Sequence, residues 1–290
     1  MTRIRSGHKE DMMDRRQPDP AGWTTGRGNA WVALQPMLDG LFLPFERILA
    51  DMMLAQGVQD VLDIGCGAGA TSLAIAEVLR PSGTCTGIDI SEALVKVARD
   101  RAIATGLGNA RFLCADAQRH DFDPEAYDAI VSRFGVMFFD DPVAAFANIR
   151  RALRPAGTLA CIVWRSPGDN RFMATAERAA AAILGPQPAS DPHAPGQFAF
   201  ADDGRVHGIL TDAGWDTIDI RPIAVPCELS AKELPVYARR MGRIGTILPR
   251  LDDAERIRLE TALDEAFAPF VVGEVARFGA ACWMVRARKP

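Results

Sequence analysis

The stretch Val61–Ser72, VLDIGCGAGATS, sets three glycines, Gly65, Gly67 and Gly69, behind a short apolar run that contains a carboxylate, Asp63. An apolar run closed by glycines and followed by apolar residues at helical spacing, TSLAIAEVLR, reads as strand, tight turn and helix. In such a turn, glycines let the main chain take positive φ and approach a ligand closely. The helix behind it directs its free amides at the same ligand. A loose G-x-G-x-x-A, formed by Gly65, Gly67 and Ala70, overlaps the dinucleotide fingerprint. The glycines alone therefore leave the ligand open.

Outward from the loop, the chain alternates strand-like and helix-like segments. GTCTGIDI, ARFLCADA, YDAIVSRFG and GTLACIVW read as four further strands. SEALVKVARDRAIATG, with Ser91 as its N-cap, and PVAAFANIRRALRPAG read as helices between them. Strand then helix, repeated, predicts an α/β, doubly wound, mostly parallel sheet with helices on both faces. After Trp164 the pattern loosens into two insertions, about 166–202 and 228–272, separated by the strand WDTIDIRPIAV. AACWMVRAR closes the chain as a last strand. Because strands resume after each insertion, we expect one domain, 23–290, with a core at about 23–165 and helical lid insertions.

At 290 residues, 48% apolar and 24% charged, the composition is that of a globular protein. A net charge of −4 weighs against a nucleic-acid partner. Six scattered cysteines form no C-x-x-C pair and no cluster at metal-ligand spacing, so no metal is expected and a reducing cytoplasm suits them. Residues 1–22 read as a mobile arm without an apolar core of signal-peptide length, and no run approaches the roughly 18 residues of a membrane span.

Asp63 separates the candidate ligands. Beside a pyrophosphate it would put two negative groups in one mouth, whereas beside an α-ammonium or a sulfonium it is attractive. S-adenosylmethionine offers both. Asp89 ends the second strand about 20 residues past the loop, where an acid takes ribose hydroxyls of either NAD or an adenosyl group. Asp116, ending the third strand, is placed to accept from an adenine amine.

VLDIGCGAG, GIDIS, CADAQ, YDAIVSRFGVMFF and RALRPAGTLACIVW, in this order, resemble the class I S-adenosylmethionine-dependent methyltransferases, in the branch of the ubiquinone and menaquinone biosynthesis enzymes. The resemblance covers about residues 30–165 and implies a seven-stranded sheet whose last strand runs antiparallel between the fifth and sixth. It implies that Asp63, Gly65 and Gly67 hold the methionine end, with Cys66 filling space in the loop. Asp89 and Ile90 would hold the ribose and one adenine face, and Asp116 and Ala117 the adenine edge. Ser132 and Arg133 would face the methyl end. In related enzymes a segment like NAWVALQPMLDGLF closes over the cofactor, which would bring Trp31 and Gln35 near the sulfonium; a core anchor is the other reading of Trp31.

Methyl transfer is an in-line displacement that needs the nucleophile about 3 Å from the methyl and, for a hydroxyl or acidic carbon, a base. Arg133 and His193, the latter in the proline-rich insertion, are the catalytic candidates; His193 also reads as a solvated loop residue. SRFG after the fourth strand, in place of N/D-P-P-Y/F, argues against adenine-N6 and glutamine methylation, and no Pro-Cys stands there for cytosine carbon-5 chemistry. A small molecule taken under a lid, by a monomer or homodimer, is the expected acceptor. The alternatives are an NAD-dependent oxidoreductase and a non-catalytic S-adenosylmethionine-binding protein.

Overall fold

A computed structural model describes residues 22–185 and 191–290, so the expected arm lies outside the described residues except for Gly22. The chain runs α1 (Gly26–Ala33), α2 (Gln35–Gln56), β1 (Asp60–Ile64), α3 (Ala70–Val78), β2 (Thr84–Asp89), α4 (Glu92–Thr105), β3 (Ala110–Cys114) and β4 (Tyr127–Arg133). It continues through α5 (Pro142–Arg151), β5 (Leu153–Trp164), α6 (Thr175–Leu184), α7 (Asp203–Asp212) and β6 (Asp216–Ser230). The last elements are α8 (Leu234–Arg240), α9 (Ile244–Ile247), α10 (Asp253–Phe267), β7 (Val271–Val272) and β8 (Val275–Arg288).

The strand order is β3-β2-β1-β4-β5-β8-β6, with β8 antiparallel between β5 and β6, as expected. The count differs from seven because two-residue β7 pairs with the start of β8. β1 is buried on both faces from Val61 to Ile64, which is why a parallel strand reads as a continuous apolar run and why Asp63 within it stands out. Strand order reverses between β1 and β4, so the glycine loop and the end of β4 flank the crevice where ligands bind in open α/β sheets.

Local details depart from expectation, and β3 ends at Cys114, short of Asp116. The helix read through Gly157 stops at Arg151, because Leu153 already pairs with Tyr127 and Pro155 cannot supply a helical amide. NAWVALQPMLDGLF is two helices, broken at Leu34, with Pro36 in the first turn of α2. Ser91 stands at the N-cap of α4, but its side chain makes no cap bond; its amide donates to Asp89 Oδ1 at 2.8 Å.

β6 and β8 are longer than expected, and their register locates the insertions. β5 ends at Trp164 opposite Cys282, while β6 and β8 pair onward from Val225↔Ala280 to Ser230↔Val275. The hairpin thus overhangs the carboxyl edge of the sheet, the edge that carries the glycine loop. The insertion helices continue from it: α10 packs on α6 and α8, and α6 on α9, so both insertions form one helical cap. Its centre is aromatic, with Phe172 stacked on Phe278 of β8 at 3.7 Å between centroids and edge-on to Phe267 at 5.1 Å. Among the described residues no helix is long and apolar enough to cross a membrane.

Candidate active site

The loop is closed by contacts that exclude side chains. Gly65 (φ 68°), Gly67 (φ 54°) and Gly69 (φ 82°) all occupy the left-handed region. A Cβ on Gly65 would stand 2.7 Å from Cα of Gly135, so the loops after β1 and β4 touch backbone to backbone. A Cβ on Gly67 would meet nothing within 4 Å, so this glycine fronts open space. The amides of Gly65 and Cys66 donate to Ile88 O at 2.8 and 3.1 Å, fastening the loop to β2. Burial pushes the Cys66 thiol well above its usual range, which leaves a neutral space-filler.

Asp63 lies beneath this loop at 1% exposure. Ser72, from the first turn of α3, donates its hydroxyl to Asp63 Oδ2 at 2.6 Å. Burial raises the carboxyl to about 7, while the Ser72 bond and the Arg133 charge hold it down and Asp89 and Glu46 add to the rise. Asp63 is therefore an acid poised between charge states and ready to ionise against a cation.

Asp89 braces the loop: its Oδ2 accepts from the Gly67 amide at 2.9 Å and its Oδ1 from Ser91. Ile90, next in the chain, is half-buried at the same strand end. Asp116 is buried, with Oδ1 accepting from the Gln118 amide at 2.9 Å, and Ala117 is buried beside it, its carbonyl accepting from Asn148. We expect Asp89→Ala to weaken cofactor binding by about 1–3 kcal/mol, through loss of charge-assisted bonds to the ribose and of the Gly67 brace. Calorimetry with S-adenosylhomocysteine checks this, and unchanged affinity would count against the site.

At β4 the picture is mixed. Ser132 is fully buried, and its hydroxyl points inward, donating to Ile64 O at 2.8 Å and accepting from the amides of Gly135 and Val136. It offers a ligand backbone only. Arg133 is half-buried: Nε donates to Thr71 Oγ1 at 3.0 Å, and the guanidinium lies over the rings of Phe42 (5.3 Å) and Phe134 (5.9 Å). No carboxylate among the described residues closes an ion pair on it. Phe134 has φ 65°, costly for a bulky residue; its ring stacks on Trp164 at 4.4 Å and 9°, which holds the turn.

The segment α1–α2 does fold over the loop. Arg101 of α4 donates to Ala68 O and to Asp39 Oδ2, both at 2.6 Å, tying α2 to the glycine turn. Trp31 stacks on Phe42 (6.2 Å, 15°) and is edge-on to Trp23, so it belongs to an aromatic wall. The Gln35 amide is spent on Asp39. His193 is exposed, its amide donating to Asp191 Oδ1 at 2.8 Å.

The sequence reading missed Glu46. This acid sits on the buried face of α2, between Phe45 and Leu49, at 6% exposure. Its Oε1 is buried without a hydrogen-bond partner among the described residues. Burial raises its carboxyl, against the charge of Arg133. A lone acid in an apolar stripe was the signal available. An orphaned acid on α2, an arginine without an ion pair among the described residues and an open glycine could serve a zwitterionic amino-acid end, and Asp89 and Asp116 offer acceptors to a nucleoside.

Residues 61–157 match a family described as a methyltransferase domain, and that match supports a class I S-adenosylmethionine-dependent methyltransferase. The NAD reading is set aside by that match. Nocamycin O-methyltransferase of Saccharothrix syringae is 29% identical over 66% of this chain and 70% of its own length. Demethylmenaquinone methyltransferase of Staphylococcus aureus is 28% identical over 42% of this chain, which spans about half (49%) of that relative. The YcgJ protein of a Bacillus superposes over 83% of this chain and 98% of its own, with a TM-score of 0.54 at 20% identity, a likeness of fold.

Proposed function

We propose that the protein methylates a small molecule held between the carboxyl ends of β4 and β5 and the helical cap. The observation that carries this is the overhang of β6 and β8 past Trp164, which sets the cap on the same sheet edge as the glycine loop. Nocamycin and demethylmenaquinone, the compounds after which two relatives are named, are small molecules and fit such an enclosure. We read 23–290 as one domain acting in the cytoplasm, without a nucleic-acid partner, as a monomer or homodimer.

When bound, S-adenosylmethionine supplies an electrophilic methyl on a sulfonium, whose departure needs no acid. Asp89 with Ile90 would hold the ribose, and Asp116 with Ala117 the adenine. Arg133 would take the α-carboxylate, with Asp63 and the loop beneath the amino-acid end. Trp31, the part-exposed member of the aromatic cluster it forms with buried Phe42, Phe134 and Trp164, would give the acceptor an apolar contact, and the cap would exclude water that competes for the methyl. Positioning supplies most of the rate, and the nucleophile is oxygen, nitrogen or carbon.

The test is a metabolite pool incubated with methyl-labelled S-adenosylmethionine. We expect label in a small molecule, with transfer lost in Asp89→Ala. Tight S-adenosylhomocysteine binding with no labelled product from any pool would favour a non-catalytic binder instead.

A further inference from the structure

Two opposite charges near the glycine loop lack partners. Arg133 reaches Thr71 through Nε and presents the rest of its guanidinium over Phe42, with no carboxylate in ion-pair range among the described residues. One turn along α2 from Phe42, Glu46 has its Oε1 buried and unbonded. The charged groups that act on Glu46 are Arg133, Asp39, Arg101 and Arg47, and Glu46 in turn acts on Asp63 under the loop. Arg101 and Asp39 are already committed to each other, and Arg101 also to Ala68 O. Arg47 is exposed, so Glu46 and Arg133 remain as a carboxyl and a guanidinium without an ion-pair partner among the described residues, on elements that pack together. Leaving a buried carboxylate unbonded is costly, and proteins rarely keep one without a use.

We infer that Glu46 is a cofactor-binding residue, its carboxylate taking the α-ammonium of the bound cofactor while Arg133 takes the α-carboxylate. The inference rests on the S-adenosylmethionine reading above. A zwitterion satisfies both side chains at once. It also explains a carboxylate on a helix face that otherwise carries Leu38, Phe42, Phe45, Leu49 and Met53. Asp63, bonded to Ser72 beneath the loop, then serves as the deeper of two acids around one cation.

The test compares three ligands by calorimetry on the full chain, wild type and Glu46→Gln. S-adenosylhomocysteine carries both charges, its deaminated analogue keeps only the carboxylate, and 5′-methylthioadenosine lacks the amino-acid end. Glu46→Gln should weaken S-adenosylhomocysteine about 10- to 100-fold, the worth of a charge-assisted bond, and leave the other two within about three-fold. Glu46→Leu, which puts an apolar group of similar volume in the same place, should give the same pattern and unfold no lower than wild type without ligand.

Equal losses for S-adenosylhomocysteine and the deaminated analogue would mean that Glu46 works through Arg133 and would overturn the ammonium contact. Equal losses for all three ligands, or none, would also overturn it. Wild-type protein that binds neither S-adenosylhomocysteine nor 5′-methylthioadenosine would instead bring down the cofactor reading itself, and this proposal with it.

Discussion

Gly65→Ala should destabilise the protein by about 2–5 kcal/mol, while Gly67→Ala, two residues on, should cost about 1–2 kcal/mol and act mainly on ligand binding. Both glycines sit in the left-handed region, at φ 68° and 54°, so a Cβ strains either backbone by about 1–2 kcal/mol. Space separates them. At Gly65 the new methyl would meet Cα of Gly135 at 2.7 Å, and the obstacle is main chain that cannot rotate away. Gly135 cannot retreat either, since its amide is held by Ser132, whose hydroxyl is bonded to Ile64 O. Forcing β1 and β4 apart adds an overpacking cost of about 1–3 kcal/mol. At Gly67 the methyl would enter open space above the loop, where we place the ligand. Denaturant midpoints with S-adenosylhomocysteine titrations separate the two variants. Equal destabilisation by both would show that the backbone approach of Gly65 and Gly135 does not matter.

That contrast marks what a sequence can and cannot carry. The glycine loop was legible because a parallel strand buried on both faces is a run of apolar residues, and VLDIG has no other reading. Asp63 was legible as the exception within that run. The closure of Gly65 on Gly135 was not, because it joins residues 70 positions apart whose contact exists only once β4 lies beside β1. Arg133 stands out in the sequence for its strand end, but its bond to Thr71 of α3 and its contact with Phe42 of α2 are long-range, and no local pattern brings them there. Ser132 lies at the end of β4 as read, but its hydroxyl is engaged at the β1–β4 junction, which no local pattern announces. β6 carries a further signal in its sequence. Val225, Cys227 and Leu229 are buried while Pro226 and Glu228 are exposed, a period-two alternation beyond the assumed strand end that the proline disguised. That alternation is what extends the β6–β8 pairing toward the cap.

Asp63→Asn should make the ligand-free protein more stable at pH 8, by up to about 4 kcal/mol, and less able to hold its cofactor. The sign follows from burial, which lifts the carboxyl from 3.8 to about 7 in the folded chain. An acid so raised binds more protons folded than unfolded, so stability falls as pH climbs from about 4 to 7, and the full cost is present above 7. About three pKa steps at 1.36 kcal/mol each give the 4 kcal/mol. Asparagine keeps the shape, its amide oxygen still accepts from Ser72, and it carries no charge to bury. Unfolding free energies of the variant should therefore lose most of the decline that wild type shows between pH 5 and 8. Binding should respond in the opposite sense. A cationic cofactor end favours the ionised carboxylate, so below pH 7 the wild type must release a proton to bind, and its affinity for S-adenosylhomocysteine should rise with pH and level off near 7. In Asp63→Asn that component of the slope is absent. A variant no more stable than wild type at pH 8, or one whose binding keeps the whole wild-type pH slope, would remove Asp63 from the ligand's side of the loop. The stability gained by neutralising Asp63 is then a measure of what the protein gives up in the empty state to keep a negative charge ready under its glycines.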